Sequence, residues 1–201
     1  MFRYFKVLVF TNDFKNRHEY LDSTGILDDR IYIRRVKGTG IPNIFVYSVK
    51  NENIEAKFQI WEILPTTAES MRIFSYKGAS GIIILFDSLD ISFFRNYLNK
   101  KINEELQRYF HFNIVNIFLF IPYYREEFRK YEELINKIED KFKLKTKIFD
   151  NTDDFYLWIA SILNNISYSI EKESVIFHLA FVETKNPSID FGGILESVSK
   201  I

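Results

Sequence analysis

The side chains that could carry chemistry are few and dispersed. His18, His111 and His178 stand far apart, with none of the HxxxH or HxxE spacings that set two metal ligands on one helix face. They read as ordinary surface or core residues, and no metal site is expected. The acidic pairs Asp28-Asp29 and Asp153-Asp154 are adjacent, which suits loops and helix caps better than an acid/base dyad. Ser80-Gly81 does not belong to a G-x-S-x-G nucleophile elbow. With no cysteine, thiol nucleophiles, thiolate-bound zinc, disulfides and cysteine-attached lipids are all excluded. Arg34-Arg35-x-Lys37 is a small basic cluster. A solvated loop accounts for it, and a contact with phosphate or anionic lipid is the alternative.

Composition narrows the class further. The chain has 201 residues, with 27 Lys+Arg against 27 Asp+Glu. Zero net charge argues against broad nucleic-acid binding. A hydrophobic content of 47% can fill a core within one ordinary domain. The 21 Phe and 12 Tyr fit a core built with large rings more than a base-stacking surface. No small-residue cleavage site follows the apolar stretch at the start, and Phe2 stands where N-myristoylation needs glycine. The longest apolar runs, Gly81–Phe86 and Ile114–Ile121, are far below the roughly 20 residues of a spanning helix. A soluble, cytoplasmic protein without a transmembrane or lipid anchor is expected.

The elements that would position these residues alternate. Phe5–Phe10 is a short apolar run of strand length. Asn43–Val49 and Ala56–Ile63 alternate in part with polar residues and flank Lys50-Asn51-Glu52-Asn53, so they read as a β-hairpin. Gly81–Asp87 and Ile114–Ile121 are continuous apolar runs, the pattern of strands buried on both faces, and Lys145–Phe149 is a sixth strand. One helix face is marked by Phe94, Leu98, Ile102, Leu106 and Phe110 behind an Asp90 cap. A second carries Phe128, Tyr131, Ile135, Ile138 and Phe142. A third carries Phe155, Trp158, Ile159, Ile162 and Ile166, with Asp153 or Asp154 as cap. Strands and helices in this order imply a mainly parallel sheet wrapped by helices. Residues 171–201 fall outside the alternation. Ser174–Val182 has the pattern of one more strand, and the whole segment is read as a C-terminal extension to a domain spanning 1–170.

One stretch goes beyond pattern. Ile60-Trp61-Glu62-Ile63-Leu64-Pro65-Thr66, then Tyr76-Lys77-Gly78-Ala79, then the run Gly81–Asp87 resembles the small GTPases of the Rab/Ras type. Members of that family read Ile-Trp-Asp-Thr-Ala-Gly-Gln, then Tyr-Tyr-Arg-Gly-Ala, then an apolar strand. The order of strands and helices supports the resemblance over about residues 1–168. It implies an α/β Ras-like fold: six strands, mostly parallel with one antiparallel through the hairpin, and about five helices.

Against that resemblance, each nucleotide motif fails on its own chemistry. A GxxxxGK[ST] loop uses glycines so that backbone N–H groups wrap the phosphates. Here the aligned loop is Phe10-Thr11-Asn12-Asp13-Phe14-Lys15-Asn16-Arg17, with no glycine before Gly25. Phe10 and Lys15 stand at the glycine positions, Asn16 at the lysine and Arg17 at the magnesium-binding hydroxyl. Thr39 lies 23 positions before Glu62, the family's spacing between its switch-one threonine and its metal-associated aspartate, but Glu62 is one methylene longer. Pro65 replaces a glycine whose N–H would bond the terminal phosphate, and Thr66 is too short to replace the water-orienting glutamine. After the fifth strand, Pro122-Tyr123-Tyr124-Arg125 replaces Asn-Lys-x-Asp, and Arg125 can only donate. The Ser-Ala-Lys-type loop falls near Ile148-Phe149-Asp150 without those residues.

Together these losses imply a degenerate member, a pseudo-GTPase with no catalytic residues, no metal and no cofactor. Lys15, Arg17, Thr39, Glu62 and Thr66 are the vestigial site. The alternative is an atypical GTPase or nucleotide binder holding GTP or GDP with Mg in an altered geometry, in trafficking or signalling. Family members engage protein partners through an apolar triad on the switch surface. Spacing places it on Ile44, Trp61 and Tyr76, with Phe45 beside Ile44. The resemblance thus implies a scaffold whose partner is a protein, such as another GTPase or a trafficking regulator, with no nucleic acid. A membrane-associated adaptor using Arg34, Arg35 and Lys37 is a weaker alternative.

Overall fold

The structure, a computed structural model, describes residues 2–10, 32–34, 42–64, 67–85, 104, 114–143, 146–165, 174–183 and 191–200. The apolar run near the start forms β1 (Phe2–Phe10). The expected hairpin is β3 (Asn43–Lys50) and β4 (Glu55–Ile63), in antiparallel register from Asn43 opposite Glu62 to Lys50 opposite Glu55. Asn51 makes its turn: its side-chain oxygen accepts from the N–H groups of Asn53 at 2.9 Å and Ile54 at 2.7 Å, an Asx-type closure. The two continuous apolar runs are β5 (Gly81–Leu85) and β6 (Ile114–Tyr123). Pro122 is tolerated inside β6 because β5 pairs with it only as far as Phe120. A three-residue β2 (Tyr32–Arg34) pairs with β3, and β7 is Thr146–Phe149.

Four helices of eight residues or more are described: α1 (Glu69–Tyr76), α2 (Glu132–Phe142), α3 (Thr152–Asn164) and α4 (Phe191–Lys200). A single turn, Arg125–Phe128, and a 3-10 turn, Arg129–Tyr131, lead into α2. The cap of α3 is Asn151, whose side chain accepts from the Asp154 N–H at 2.8 Å, and not Asp153 or Asp154. Asp153 instead accepts from the Tyr47 hydroxyl and ties α3 to β3. The helix expected behind Asp90 lies outside the described residues.

The sheet has eight strands in the order β2-β3-β4-β1-β5-β6-β8-β7, where β8 is Ser174–Glu183. Only β3 runs against the others. The α/β class and the mostly parallel sheet with one antiparallel strand are as the sequence predicts; the count of six strands is not. Nor is 171–201 an appendage in this fold. β8 pairs with β6 along its whole length, Ser174 opposite Ile114 through Glu183 opposite Tyr123, and with β7 over Leu179–Val182. It is an interior strand. Gly192 and Gly193, read as preceding a tail, lie in the first turn of α4. A Cβ at Gly192 would collide with the Tyr131 hydroxyl and ring, so glycine permits the close approach of α4 to the 3-10 turn.

Two cores follow from strand alternation. One face buries Leu8, Phe10, Ile82, Ile84, Leu119, Phe181 and the inner side of α4. Here Phe128, Phe181 and Phe191 meet with ring centroids 5.6 to 6.0 Å apart. The other face buries Val7, Phe45, Phe58, Phe118, Phe120 and the α3 residues Phe155, Tyr156 and Ile159. Large rings fill both cores.

Ending the chain at residue 170 should therefore abolish cooperative thermal unfolding; an unchanged melting curve would show that β8 is dispensable. Within the full chain, Phe181→Ala should cost about 3–5 kcal/mol, the range for removing a buried phenyl ring, readable by urea denaturation.

Candidate functional site

In open α/β sheets, ligands bind outside the carboxyl ends of the strands, at the point where successive connections diverge. In this sheet that point lies between β1 and β5, since the chain goes from β1 to one side and from β5 to the other. Residues 11–31 and 86–103, which follow these strands, lie outside the described residues. So do Lys15, Arg17, Thr39, Pro65 and Thr66. The described part of the rim carries Glu62, Tyr123, Arg125, Asp150 and Glu183.

Glu62 is buried at the end of β4. Its cross-strand partner Asn43 donates through Nδ2 to Oε2 at 2.7 Å. This bond serves the hairpin directly, because Asn43 and Glu62 are the first registered pair of β3 and β4. At the other end of the rim, Arg125 leaves β6 and its guanidinium reaches two carboxylates: Asp150 at 2.7 Å, just past β7, and Glu183 at 3.0 Å, the last residue of β8. Both raise the pKa of Arg125, Glu183 the more. Tyr123 beside them is pushed up by burial first, then by Glu183 and Asp150.

The two segments that the resemblance assigns to guanine recognition, 122–125 and 148–150, therefore do not adjoin. β8 lies between β6 and β7, and the corner is spanned by an ion-pair triad with the donor where the family has an acceptor. Asp150 and Glu183 were not identifiable as partners of Arg125 from the sequence, because their pairing depends on where β8 inserts.

The four residues assigned to partner binding divide between the two sides of the sheet. Ile44 and Trp61 are opposite each other on β3 and β4 and partly exposed. Phe45 is buried in the core under α3. Tyr76 is buried against Phe10, with centroids 6.5 Å apart, and presents no surface anchor. The exposed ring next to Trp61 is Phe74, 6.2 Å away. Lys6 lies over the Trp61 ring at 3.9 Å. Tyr4 and Phe2 continue that face by strand alternation. The alternation Phe2-x-Tyr4-x-Lys6 was the available signal for this surface.

Of the histidines, His18 and His111 lie outside the described residues. His178 donates through Nε2 to Asn116 Oδ1 at 2.8 Å, stacks on Phe118 at 4.8 Å and meets the edge of Trp158. It is a half-buried residue packed against these rings. Among the described residues no group of three His, Asp or Glu side chains converges to hold a metal, and no helix is long and apolar enough to cross a membrane. No protein-family model matches the chain, and no curated protein matches it.

Two outcomes follow. Arg125→Met should lower the melting temperature slightly, by an amount that shrinks in high salt, because the triad is solvent-exposed; no change at low salt would show that the triad holds nothing. Burial lowers the pKa of His178 in the folded state. Its contribution is present above the unfolded value of about 6.5 and is lost as pH falls below it. Melting from pH 7.5 to 5.5 should thus drop more in the native chain than in His178→Gln.

Proposed function

We propose that this chain is a Ras-like interaction module that works without nucleotide: a pseudo-GTPase scaffold that docks a protein through the open face of β3, β4 and β1. The Arg125–Asp150–Glu183 triad is the observation that carries this reading. In it a guanidinium already engages both carboxylates of the corner where a guanine edge would need a free acceptor. Two further features support it. Glu62, aligned with a metal-associated aspartate, is buried and bonded to Asn43. The sequence from Phe10 to Arg17 has side chains in place of the glycines that phosphate binding requires.

With no γ-phosphate to order and release a switch, the docking face is held in one state. Its anchors are Trp61, Ile44, Tyr4 and Phe74, on a rigid sheet and the adjoining helix α1. Aromatic groups so fixed lose little entropy on binding and make effective hot spots. The chemistry assigned is recognition alone, with no cofactor.

The expected result of a thermal melt with millimolar GTP or GDP and magnesium is a shift of less than about 1 °C. A nucleotide present at 100 times its Kd would add about 2.7 kcal/mol, which is roughly 5–10 °C for a domain of this size. A shift of that size would overturn the reading.

A further inference from the structure

The open face has a chemical character that specifies what it recognises; this step rests on the reading that the face is the working surface. Phe2, Tyr4 and Phe74 are 60%, 54% and 57% exposed, although each is large and apolar enough to be buried. They surround Lys6. Its ammonium sits 3.9 Å from the centroid of the Trp61 ring and donates to the Lys77 carbonyl at 2.9 Å. Both partners are neutral. Burial pushes the Lys6 pKa down to about 8 with no carboxylate contributing, so the group is a half-desolvated cation whose charge is not compensated among the described residues.

Further positive charge lies close by. Lys57 is directly opposite Tyr4, and Lys77 holds the Lys6 ammonium through its backbone. Glu55, the carboxylate of β4 on this face, is tied to Lys50 at 3.5 Å. The face therefore pairs exposed aromatic rings with an excess of lysine.

We propose that the β1–β4–α1 face docks an acidic segment of a partner protein, with a carboxylate seated on Lys6 and an aromatic or aliphatic side chain about one helical turn away packed against Phe74 and Tyr4. A carboxylate would supply the counter-charge that Lys6 lacks, in a site where the surrounding rings strengthen the pairing. The arrangement suits a peptide better than a membrane. Anionic lipid is held by clusters of about 4–8 unopposed cations, whereas this face presents one sunken cation with two neighbours, and Lys50 is already neutralised.

The test selects a random dodecapeptide library against the full chain and measures the chosen peptides by fluorescence anisotropy. Enriched peptides should carry Asp or Glu beside Trp, Phe or Leu. Their affinity should fall at least about tenfold, the size of one charge-assisted contact, in Lys6→Met and in Phe74→Ser, and should be unchanged in Lys147→Met on β7. Replacing the peptide's Asp by Asn should weaken binding to the native chain and have little further effect on Lys6→Met. Both tested side chains lie outside the two buried cores, and circular dichroism confirms that each variant is folded.

Peptides that depend on Phe74 but show no acidic preference would overturn the carboxylate and leave the docking face standing. Failure to select any peptide that depends on Phe74 would overturn both. Sedimentation with phosphatidylcholine/phosphatidylserine vesicles, lost on the same substitutions, would assign the face to membrane and overturn the peptide.

Discussion

The ten-residue parallel ladder between β6 and β8 is the interaction on which the rest of the structure depends. It carries the last part of the chain into the sheet interior and leaves β7 as the outer strand. Without it, β6 would expose an edge of unpaired N–H and C=O groups, and Phe181 would not reach Phe128 and Phe191. α4 then closes one core, and Lys141 on α2 donates to the Ser199 carbonyl at 2.7 Å. Both cores are thus completed by a segment that no simple alternation of strand and helix requires.

The same ladder governs the rim. Glu183 reaches Arg125 because β8 ends in register with Tyr123, and Asp150 reaches it from the far side because β7 is displaced outward by one strand. A site for a planar base needs loops that adjoin and offer an acceptor. This rim has loops held apart by a strand, and both of its carboxylates are engaged by a guanidinium. The opposite end of the sheet is organised differently: the hairpin and β1 leave one face with rings and lysines in solvent. Charge pairing occupies the first region and leaves the second open, which is the physical basis for the proposal that this face serves recognition.

Much of this was legible in the sequence. Continuous apolar runs revealed β5 and β6, and the polar cluster at 50–53 revealed the hairpin, because both signals are local. Apolar spacing located α2 and α3, but the buried face of α3 is Phe155, Tyr156, Ile159, Ala160 and Leu163, with Trp158 and Ile162 partly exposed and Ile166 outside the described residues. The cap of α3 was misplaced by two or three residues because Asn151, Asp153 and Asp154 have equal chemistry for the role, and only backbone geometry selects Asn151. The position of β8 was not legible at all: strand order is set by long-range pairing, and Ser174–Val182 has the same pattern whether it lies at an edge or in the interior. The surface triad failed at Tyr76 for a similar reason. Which face of α1 meets Phe10 is decided by packing, and that buries Tyr76 and turns Phe74 outward.

As proposed above, this fold holds its shape and presents its surface with no nucleotide in the rim. The most direct measurement is to purify the full chain under native conditions, denature it, and identify by chromatography whatever is released. No guanine nucleotide above trace is expected. Recovery of GDP or GTP in stoichiometric amount would contradict the proposal.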